Sequence, residues 1–350
     1  MHFEYAIIGS GQAGVPLAAR LAEAGHRVML AERSHLGGTC VNTGCTPTKT
    51  MIASARAAHV ARTAARLGVK TGRVKVNLGE VVDRKDRIVQ QWRDGVRKRL
   101  EKAGENLTLI RATARFTGAN TLSAGDDTHT ADRIIINAGC RPRVPDIEGL
   151  SDITWYDNDR IMDLRELPGR LIILGGGYIG CEFGQMFRRF GAAVTIVDHN
   201  DHLLAREDAD VSESIEEVFT GEGITLRLGA KVRTAGRDEK GLVITLSSRR
   251  KVRGTHLLVA TGRRPNTDDL GCEAGGMELD DKGFIRVDDH YRTSAGEVYA
   301  VGDITGGPQF THASWDDHRI LFDLLTGAGS RTRADRLVPR TVFTDPQVAT

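Results

Sequence analysis

Two stretches of the chain share one spacing of glycines, Gly-x-Gly-x-x-Gly, and this repeat constrains the fold more than any other feature. The glycines are Gly9, Gly11 and Gly14 in the first stretch, and Gly175, Gly177 and Gly180 in the second. Each stretch follows an apolar run and precedes a helical pattern. Glu32 and Asp198 end the next apolar runs, at equal distances along the chain from the first glycine of their stretch. The repeat therefore predicts two strand–turn–helix–strand units.

Such a turn is suited to binding a dinucleotide. The first glycine allows a tight turn, the second lets the backbone approach a pyrophosphate, and the third lets the helix pack on the strand. The helix N-terminus faces the anion, and the acid accepts hydrogen bonds from ribose hydroxyls. A single copy is also common in ordinary helix–strand packing, but two copies with matching acids favour two dinucleotide sites. Asp198 favours NADH, although His199 and Arg206 lie near enough in sequence to leave NADPH open.

Apolar runs and helical patterns alternate along the chain, which is typical of βαβ units and parallel sheets. We expect helices over residues 46–67 and 78–103 and near residues 313–325. Residues 106–124 are expected to form an antiparallel meander, and FIRVD at residues 284–288 a short strand. The predicted fold is α/β with two Rossmann-like domains, the second inserted in the first.

Composition and charge exclude several partner classes. The 350 residues include 48 basic and 46 acidic side chains, and the net charge of +2 gives no reason to expect nucleic acid or a membrane. The N-terminus leads directly into an apolar strand, so we expect no signal peptide, and no apolar run is long enough to span a bilayer. Five cysteines do not make a disulfide scaffold in a chain of this size, and they fit a reducing cytosol. We expect a cytoplasmic protein.

Cys40 and Cys45 lie close together in the stretch GGTCVNTGCTPTK, and three interpretations compete for them. A zinc half-site lacks a second pair of ligands at suitable spacing, so no metal site is expected. A static disulfide closing so short a loop would add little stability. A redox-active pair is favoured, because Pro47 marks a helix start, and the helix N-terminus and Lys49 would both stabilise a thiolate at Cys45. Gly44 permits the tight path between the cysteines.

With these residues in view, the chain resembles a known family. The motifs GSGQAG, GGTCVNTGCTPTK, GGGYIGCEFGQMF, ATGRRPN and VYAVGDITGG are similar to those of class I pyridine nucleotide-disulfide oxidoreductases. These include dihydrolipoamide dehydrogenase, glutathione reductase and mercuric reductase. The resemblance runs from Phe3 to Thr350 and is strongest to bacterial mercuric-reductase-like FAD oxidoreductases. It implies FAD in the first nucleotide site and NADH or NADPH in the second.

The resemblance also implies which residues hold the two cofactors. The residues expected at FAD are Gly9, Gly11, Gly14, Glu32, Gly38, Thr39, Lys49, Gly139, Asp303 and His312. The residues expected at NAD(P)H are Gly175, Gly177, Tyr178, Gly180, Asp198 and Gly262. Among them, the helix beginning near His312 is expected to aim its N-terminus at the flavin and to stabilise negative charge there.

Five residues are expected to carry the reaction. By resemblance, Cys45 is the thiolate beside the flavin and Cys40 the thiol that meets the substrate. Lys49 pairs with Glu182 near the flavin, and Tyr178 covers the flavin until the nicotinamide displaces it. A hydride then passes from the nicotinamide to the flavin, and its electron pair opens the Cys40–Cys45 disulfide, which reduces an acceptor.

The resemblance also sets domain boundaries and exposes two departures. It implies an FAD-binding domain at residues 1–148 plus 272–332, an NAD(P)-binding domain at 149–271, and a truncated dimerisation domain from 333–350. By resemblance, this dimerisation domain would supply the catalytic base to the other subunit, so we expect a homodimer for the full-length protein. The first departure from the family is the absence of most of this domain. The second is Asn137-Ala138-Gly139-Cys140 where the family often has Ala-Thr-Gly; Cys140, like Cys181, is expected to be a small buried residue.

The implied function is an FAD-dependent NAD(P)H oxidoreductase of the mercuric-reductase-like branch, passing electrons to a metal ion or a disulfide. Dihydrolipoamide dehydrogenase is the alternative within the same class, and reduction of Cu(II) or defence against oxidants is a third. A flavin-bound redox sensor or binding module without turnover belongs to another class. The intact cysteine motif and the expected Lys49–Glu182 pair argue against such a module, because binding alone needs neither.

Overall fold

The computed structural model describes residues 1–350, which fall into two compact units. The first unit comprises Met1–Cys45, Val89–Arg141 and Arg263–Val338. The second comprises Thr46–Ile88, Pro142–Gly262 and Pro339–Thr350. This division by compactness assigns residues 46–88 to the second unit, whereas the expected nucleotide-binding domains follow sequence motifs; their boundaries stay a prediction.

Seven helices and eighteen strands alternate along the chain. The helices are α1 Gly14–Glu23, α2 Gly38–Asn42, α3 Cys45–Thr63, α4 Leu78–Lys102, α5 Tyr178–Phe190, α6 Ala209–Gly221 and α7 Thr311–Leu325. The strands of the first half are β1 His2–Ile8, β2 Val28–Ala31, β3 Leu107–Ile110, β4 Ala114–Gly118, β5 Thr121–Ala124, β6 Asp127–Ile136, β7 Cys140–Pro142, β8 Arg170–Leu174 and β9 Ala193–Val197. Those of the second half are β10 Thr225–Arg227, β11 Val232–Asp238, β12 Gly241–Leu246, β13 Lys251–Gly254, β14 His256–Val259, β15 Arg263–Pro265, β16 Val298–Ala300, β17 Thr341–Val342 and β18 Val348–Ala349.

The first unit is built on a seven-stranded sheet. Strands β3, β2, β1, β6 and β16 are parallel neighbours. Strand β5 pairs antiparallel with β6, and β4 pairs antiparallel with β5. Alternate residues of β1 face opposite sides: Ile7 packs with α1 and α7, whereas Ala6 and Ile8 pack with Phe116 and Ile285. Helix α1 places Leu17 in the same cluster as Ile7, so the glycine turn between β1 and α1 rests on a packed core.

The expected antiparallel meander over residues 106–124 is wrong at its first strand. Leu107–Ile110 pairs in parallel with Val28–Ala31, and only β4, β5 and β6 form the antiparallel part. The chain travels from β2 to β3 by way of helix α4, and a helical crossover of this kind joins parallel strands. The alternating apolar pattern of the segment is compatible with parallel or antiparallel pairing. The helical connection that precedes the strand therefore determined its direction.

The second unit repeats the arrangement on a smaller scale. Strands β10, β9, β8 and β14 form a parallel sheet, with Ile173 facing α5 and Ile172 facing the other side. A separate antiparallel sheet of β11, β12 and β13 covers that other side, where Leu242 and Ile244 pack. The α/β class with parallel, Rossmann-like sheets is thereby confirmed.

Two short segments differ from expectation. FIRVD makes one isolated bridge, Leu279 with Ile285, instead of a strand. Its ladder stops because Asp288 accepts hydrogen bonds from the backbone N–H groups of His290 and Arg292 and turns the chain. The C-terminal stretch forms the hairpin of β17 and β18. None of the helices combines the length and the apolar character needed to cross a membrane.

Candidate active site

The first glycine turn, between β1 and α1, leaves no room for side chains. A Cβ atom added to Gly9 would lie 2.5 Å from the carbonyl oxygen of Asn137, and one added to Gly11 would lie 2.6 Å from the Oδ1 atom of Asn137. A Cβ atom on Gly14 would overlap the carbonyl oxygen of Gly9. The turn therefore requires glycine at these three positions.

Asn137, which departs from the family pattern, holds this turn together. Its Oδ1 atom accepts a hydrogen bond of 3.0 Å from the backbone N–H of Gly14, and its Nδ2 atom donates to the carbonyl of Val301. Asn137 is buried at the end of β6, next to β1. The sequence comparison noted this stretch only as a departure from the Ala-Thr-Gly of the family and assigned no role to Asn137. A polar residue directly after a buried strand is the sequence signal that could have identified the role of Asn137.

Each of the two predicted acids accepts hydrogen bonds from its own glycine turn. The Oε2 atom of Glu32 accepts hydrogen bonds from the backbone N–H (3.0 Å) and the hydroxyl (2.6 Å) of Ser10. Asp198 accepts one from the backbone N–H of Gly176, the matching position of the second turn. Glu32 and Asp198 are both buried. The equal spacing in the sequence thus corresponds to one shared geometry.

The second glycine turn, between β8 and α5, is as tight as the first. Cβ atoms on Gly175 and Gly180 would overlap the carbonyl oxygens of Ala260 and Gly175 respectively. Gly177 differs, because nothing lies within 4 Å of its added Cβ position, and it is the N-cap of α5. The open side of this turn is therefore at a helix N-terminus, where backbone N–H groups favour an anion.

The cysteine stretch packs on the first glycine turn through Gly38. A Cβ atom on Gly38 would lie 2.8 Å from the Cα atom of Gly11, and the residue has a φ of 61°. Gly38 begins helix α2, which also carries Thr39 and Cys40. The side chain of Asn42 donates 2.8 Å to the carbonyl of Gly38 and closes this short helix. Cys40 is thus tied to the turn that the first nucleotide would occupy.

Cys45 is the first residue of α3, at the helix N-terminus that the sequence predicts. Its Sγ atom lies 3.0 Å from the Oγ1 atom of Thr311, and Thr311 is the first residue of α7. The expected helix near His312 therefore begins one residue earlier, and the ring of His312 stacks on that of Phe310 at 5.4 Å. Sequence reasoning missed Thr311, because it is far from Cys45 along the chain.

Asp303 lies in a single turn of 3-10 helix that follows β16. Burial raises the pKa of its carboxyl group, and the Nε atom of Arg263 lies 3.8 Å from its Oδ2 atom. That Nε atom is buried without a hydrogen-bond partner, although Nη2 of Arg263 donates to the carbonyl of Cys140. Burial raises the pKa of the Cys140 thiol to about 12, so it is a poor thiolate. The thiol of Cys181 is buried as well, and its pKa is also raised by burial.

Lys49 and Glu182 form a bidentate ion pair within the second unit. The Nζ atom of Lys49 donates to both carboxylate oxygens of Glu182, at 2.9 and 2.8 Å. The backbone N–H of Phe343 donates to the same carboxylate at 2.9 Å, and the Phe343 ring lies 4.7 Å below the Lys49 ammonium. Glu182 is buried and Lys49 is one-third exposed. The positive charge expected at Lys49 is therefore balanced by Glu182.

Three predicted residues remain: Tyr178, Gly139 and Gly262. Tyr178 begins α5 and donates its phenol to the carboxylate of Glu207. Burial, ahead of that hydrogen bond, raises the pKa of Tyr178 to about 12. The carbonyl of Gly139 accepts from Asn266, and that of Gly262 accepts from Arg143. No three His, Cys, Asp or Glu side chains anywhere in the chain are grouped to hold a metal ion.

Comparison with known proteins agrees with this arrangement. Residues 3–317 match the model of the family described as pyridine nucleotide-disulphide oxidoreductase. Mercuric reductase of Lysinibacillus sphaericus is 34% identical over the whole of this chain, which spans 64% of that relative's length. Dihydrolipoyl dehydrogenase of Geobacillus stearothermophilus is 31% identical over 99% of this chain and 74% of its own length.

A solved structure is similar over the whole chain. It is a Cu(II) complex of the HOCl-induced flavoprotein disulfide reductase RclA from Escherichia coli, with 35% identity and a TM-score of 0.92. The match covers 100% of this chain and 77% of that one. Members of the matched family use FAD and NAD(P)H. The chain belongs to the pyridine nucleotide-disulphide oxidoreductase family.

Proposed function

We propose that this chain binds FAD and NAD(P)H and passes electrons through FAD to the Cys40/Cys45 pair and on to a metal ion or a disulfide. The observation that carries the proposal is the position of Cys45, which begins α3 and lies 3.0 Å from the hydroxyl of Thr311. A helix N-terminus and a hydroxyl donor both stabilise a thiolate. The two cysteines are separated by a link that includes Gly44, so they stay in one compact stretch.

The residues of the first unit fit FAD. The turn of Gly9, Gly11 and Gly14 has the close packing that requires glycine, as a pyrophosphate-binding turn does, and Glu32 lies beside it. The buried Nε atom of Arg263 lies near Asp303 but has no hydrogen-bond partner in the protein, so it suits an oxygen-rich ligand. These residues would hold FAD through its phosphates and sugar groups. When bound, FAD takes a hydride from NAD(P)H and passes on an electron pair.

The residues of the second unit fit a nicotinamide dinucleotide. Gly177 offers an open helix N-terminus to a pyrophosphate, and Asp198 lies beside the turn to receive ribose hydroxyls. A buried carboxylate at that place disfavours a 2′-phosphate, so NADH is the proposed coenzyme. The ring of exposed His199, 3.3 Å from Asp198, is the nearby group that would favour NADPH instead.

The side chains of this chain then have defined tasks. Cys45 is held as a thiolate by the start of α3 and by Thr311, and Cys40 is the thiol that attacks the acceptor. Reduction of the Cys40–Cys45 disulfide takes up two electrons and one proton and gives the Cys40 thiol with the Cys45 thiolate. A disulfide acceptor takes both electrons, the Cys40 proton and one proton from solvent, and leaves as a dithiol while the Cys40–Cys45 disulfide forms again. Hg(II) takes the electron pair, whereas two Cu(II) ions take one electron each, and with either metal the Cys40 proton goes to solvent. Glu182 holds the Lys49 ammonium in place through both carboxylate oxygens.

The proposed acceptor is a metal ion, as in the mercuric-reductase-like branch, because that relative matches the whole of this chain. The Cu(II) complex of the RclA relative adds copper to the candidates. The second candidate, dihydrolipoamide, is supported by the 31% identical dehydrogenase. The intact Cys45–Thr311 contact and Lys49–Glu182 pair disfavour a binding module without turnover. The proposed location is the cytosol, and the proposed partner of the complete protein is a second copy.

The test is anaerobic reduction of the FAD-loaded protein by NADH, followed by absorption spectroscopy. We expect a long-wavelength charge-transfer band between the Cys45 thiolate and the flavin. Cys45→Ser should abolish this band, because a serine hydroxyl does not ionise at neutral pH. Survival of the band in Cys45→Ser would remove Cys45 from the role.

Cys272→Ser is the matched control. Cys272 is buried in the first unit, and burial raises the pKa of its thiol. This variant should keep the whole band. The reduced protein is then offered Hg(II), Cu(II) and lipoamide in turn, and the rate at which the band is lost ranks the acceptors.

A further inference from the structure

The loop that follows β9 is fastened to the second glycine turn. The backbone N–H of Leu204 donates 2.9 Å to the carbonyl of Gly176, and the backbone N–H of Glu207 donates 2.8 Å to the carbonyl of Leu204. The side chain of Leu203 packs so closely on Gly176 that an added Cβ atom there would lie 2.7 Å from it. Leu203 and Leu204 are both buried. The loop therefore brings Glu207 to a fixed place beside the start of α5.

At that place Glu207 accepts a hydrogen bond from the phenol of Tyr178. The side chain of Glu207 is only 1% exposed. Thr350 donates 3.1 Å to its Oε2 atom, and Arg340 lies 3.9 Å from its Oε1 atom. Three side chains thus contact the carboxylate, and the Tyr178 phenol is hydrogen-bonded to a buried group that has further partners of its own.

We propose that Glu207 is a positioning residue that latches Tyr178 and so controls how readily the tyrosine ring moves aside for the nicotinamide. This inference rests on the proposed function and on the expectation, from the family resemblance, that Tyr178 covers the flavin until the nicotinamide displaces it. The hydrogen bond is made in the observed rotamer, and it must break when the ring swings away. A hydrogen bond to a buried carboxylate is stronger than one between neutral groups. The latch therefore lowers the population that admits the coenzyme.

The latch has a consequence for binding that can be measured. The apparent dissociation constant of a ligand rises in proportion as the competent conformation becomes rarer. Breaking the latch should therefore tighten nicotinamide binding without changing the hydride-transfer step. A purely structural role for Glu207 predicts the opposite, because a loosened turn would bind the dinucleotide more weakly.

The experiment compares Tyr178→Phe, Glu207→Ala and the double variant with the parent holoprotein. Isothermal calorimetry measures the affinity for NAD⁺, which needs no electron transfer. Anaerobic stopped-flow absorption measures the limiting rate of flavin reduction by NADH. We expect each single variant to bind NAD⁺ about three- to tenfold more tightly. The limiting rate should stay within about twofold in Glu207→Ala. The double variant should add little to either single change, because both remove one interaction.

Glu213→Ala, an exposed glutamate on α6, is the control and should leave the NAD⁺ affinity unchanged. Unchanged or weaker NAD⁺ binding in Tyr178→Phe, or fully additive effects in the double variant, would overturn the latch. Tyr178→Phe removes only a hydroxyl group, so its NAD⁺ affinity tests the latch even if Glu207→Ala fails to fold. If NADH failed to reduce the flavin of the parent protein, that result would contradict the proposed function instead. The NAD⁺ affinities of the variants, measured by calorimetry, would still test the latch.

Discussion

Several single residues in this chain matter because they have no side chain where space is lacking, or because their side chain fixes a turn. Four glycines of the two turns are required because backbone carbonyl groups occupy the space of a Cβ atom: Gly9, Gly14, Gly175 and Gly180. Asn137 and Glu32 supply side-chain contacts that fix the first turn, through the backbone N–H groups of Gly14 and Ser10 respectively. The same logic applies to Gly44, between the two cysteine-bearing helices. Its Cβ position would lie 2.9 Å from the carbonyl oxygen of Thr39 and 3.3 Å from the Cγ2 atom of Thr39.

Gly44→Ala should therefore strain the cysteine stretch. The new methyl group meets backbone, which cannot yield as a flexible side chain does, so we expect a loss of about 1–3 kcal/mol in the free energy of unfolding. Urea titration followed by circular dichroism measures the loss. The charge-transfer band after reduction should also weaken, because Cys45 shifts with the strained link.

Gly72→Ala is the control for this substitution. Gly72 has nothing within 4 Å of its added Cβ position and no left-handed backbone, so alanine there introduces no clash. Its urea midpoint should equal or exceed that of the parent protein. Equal midpoints for Gly44→Ala and Gly72→Ala would show that the link tolerates a side chain.

Helix α7 contacts both Cys45 and the turn that carries Asp303, in the first unit. Its first residue, Thr311, contacts Cys45. Two turns later Asp317 accepts a 2.7 Å hydrogen bond from the backbone N–H of Gly302, in the turn that carries Asp303. Asp317 also accepts a 2.7 Å hydrogen bond from the hydroxyl of Tyr291 and forms an ion pair with Arg336. One helix thus joins the cysteine contact to the turn expected at FAD.

Asp317→Asn should destabilise the protein strongly. Asp317 and Arg336 are both nearly fully buried, so the substitution leaves an uncompensated guanidinium in the interior. Loss of one partner from such a pair costs about 3–5 kcal/mol. Guanidinium chloride unfolding measures the change, and FAD should be released at a lower denaturant concentration than in the parent.

The neighbouring Asp316 provides a matched control on the same helix. Asp316 pairs at 2.8 Å with Arg331, which is half exposed, and a solvated ion pair contributes about 1 kcal/mol or less. Asp316→Asn should therefore be nearly neutral. Similar losses for the two variants would contradict the assignment of the buried pair.

Across the whole molecule, acidic and basic side chains nearly balance, and stability at low pH depends on a few buried groups. His318 on α7 is 3% exposed, and its Nδ1 atom has no hydrogen-bond partner. Burial is the main cause that lowers the pKa of His318 to about 4, and the positive charges of Arg20, Arg99 and Arg319 lower it further. The ring is therefore neutral in the folded protein at neutral pH.

This histidine predicts a loss of stability on mild acidification. Its pKa is lower in the folded state than in the unfolded state, where it is about 6.5, so the unfolded state binds the extra proton. The stabilisation is complete above about pH 6.5 and is lost progressively as the pH falls to about 4, by about 3 kcal/mol in all. His318→Gln should flatten urea stability against pH in this window. Exposed His35→Gln should leave the slope unchanged, and an unaltered slope in His318→Gln would contradict the assignment.

Much of the architecture was predictable because its signals are local. Apolar periodicity marked β1, α1, β8 and α5, and a glycine pattern needs only six neighbouring residues to be recognised. Polar strands such as Val232–Asp238 were missed, because half-exposed β-strands in a small sheet lack a strong apolar pattern. The direction of Leu107–Ile110 was also missed, since pairing depends on the path of the chain and not on the segment itself.

The sequence by itself determined the two glycine turns, their acids and the compact cysteine stretch, because each depends on residues close together in the chain. Only the tertiary structure decided the side chains that meet these features. Asn137 reaches Gly14 across 123 residues, Thr311 reaches Cys45 across 266, and Glu207 reaches Tyr178 across 29. Such contacts follow from how strands and helices pack, and no local pattern of residue types encodes which distant partner fills a given hydrogen bond.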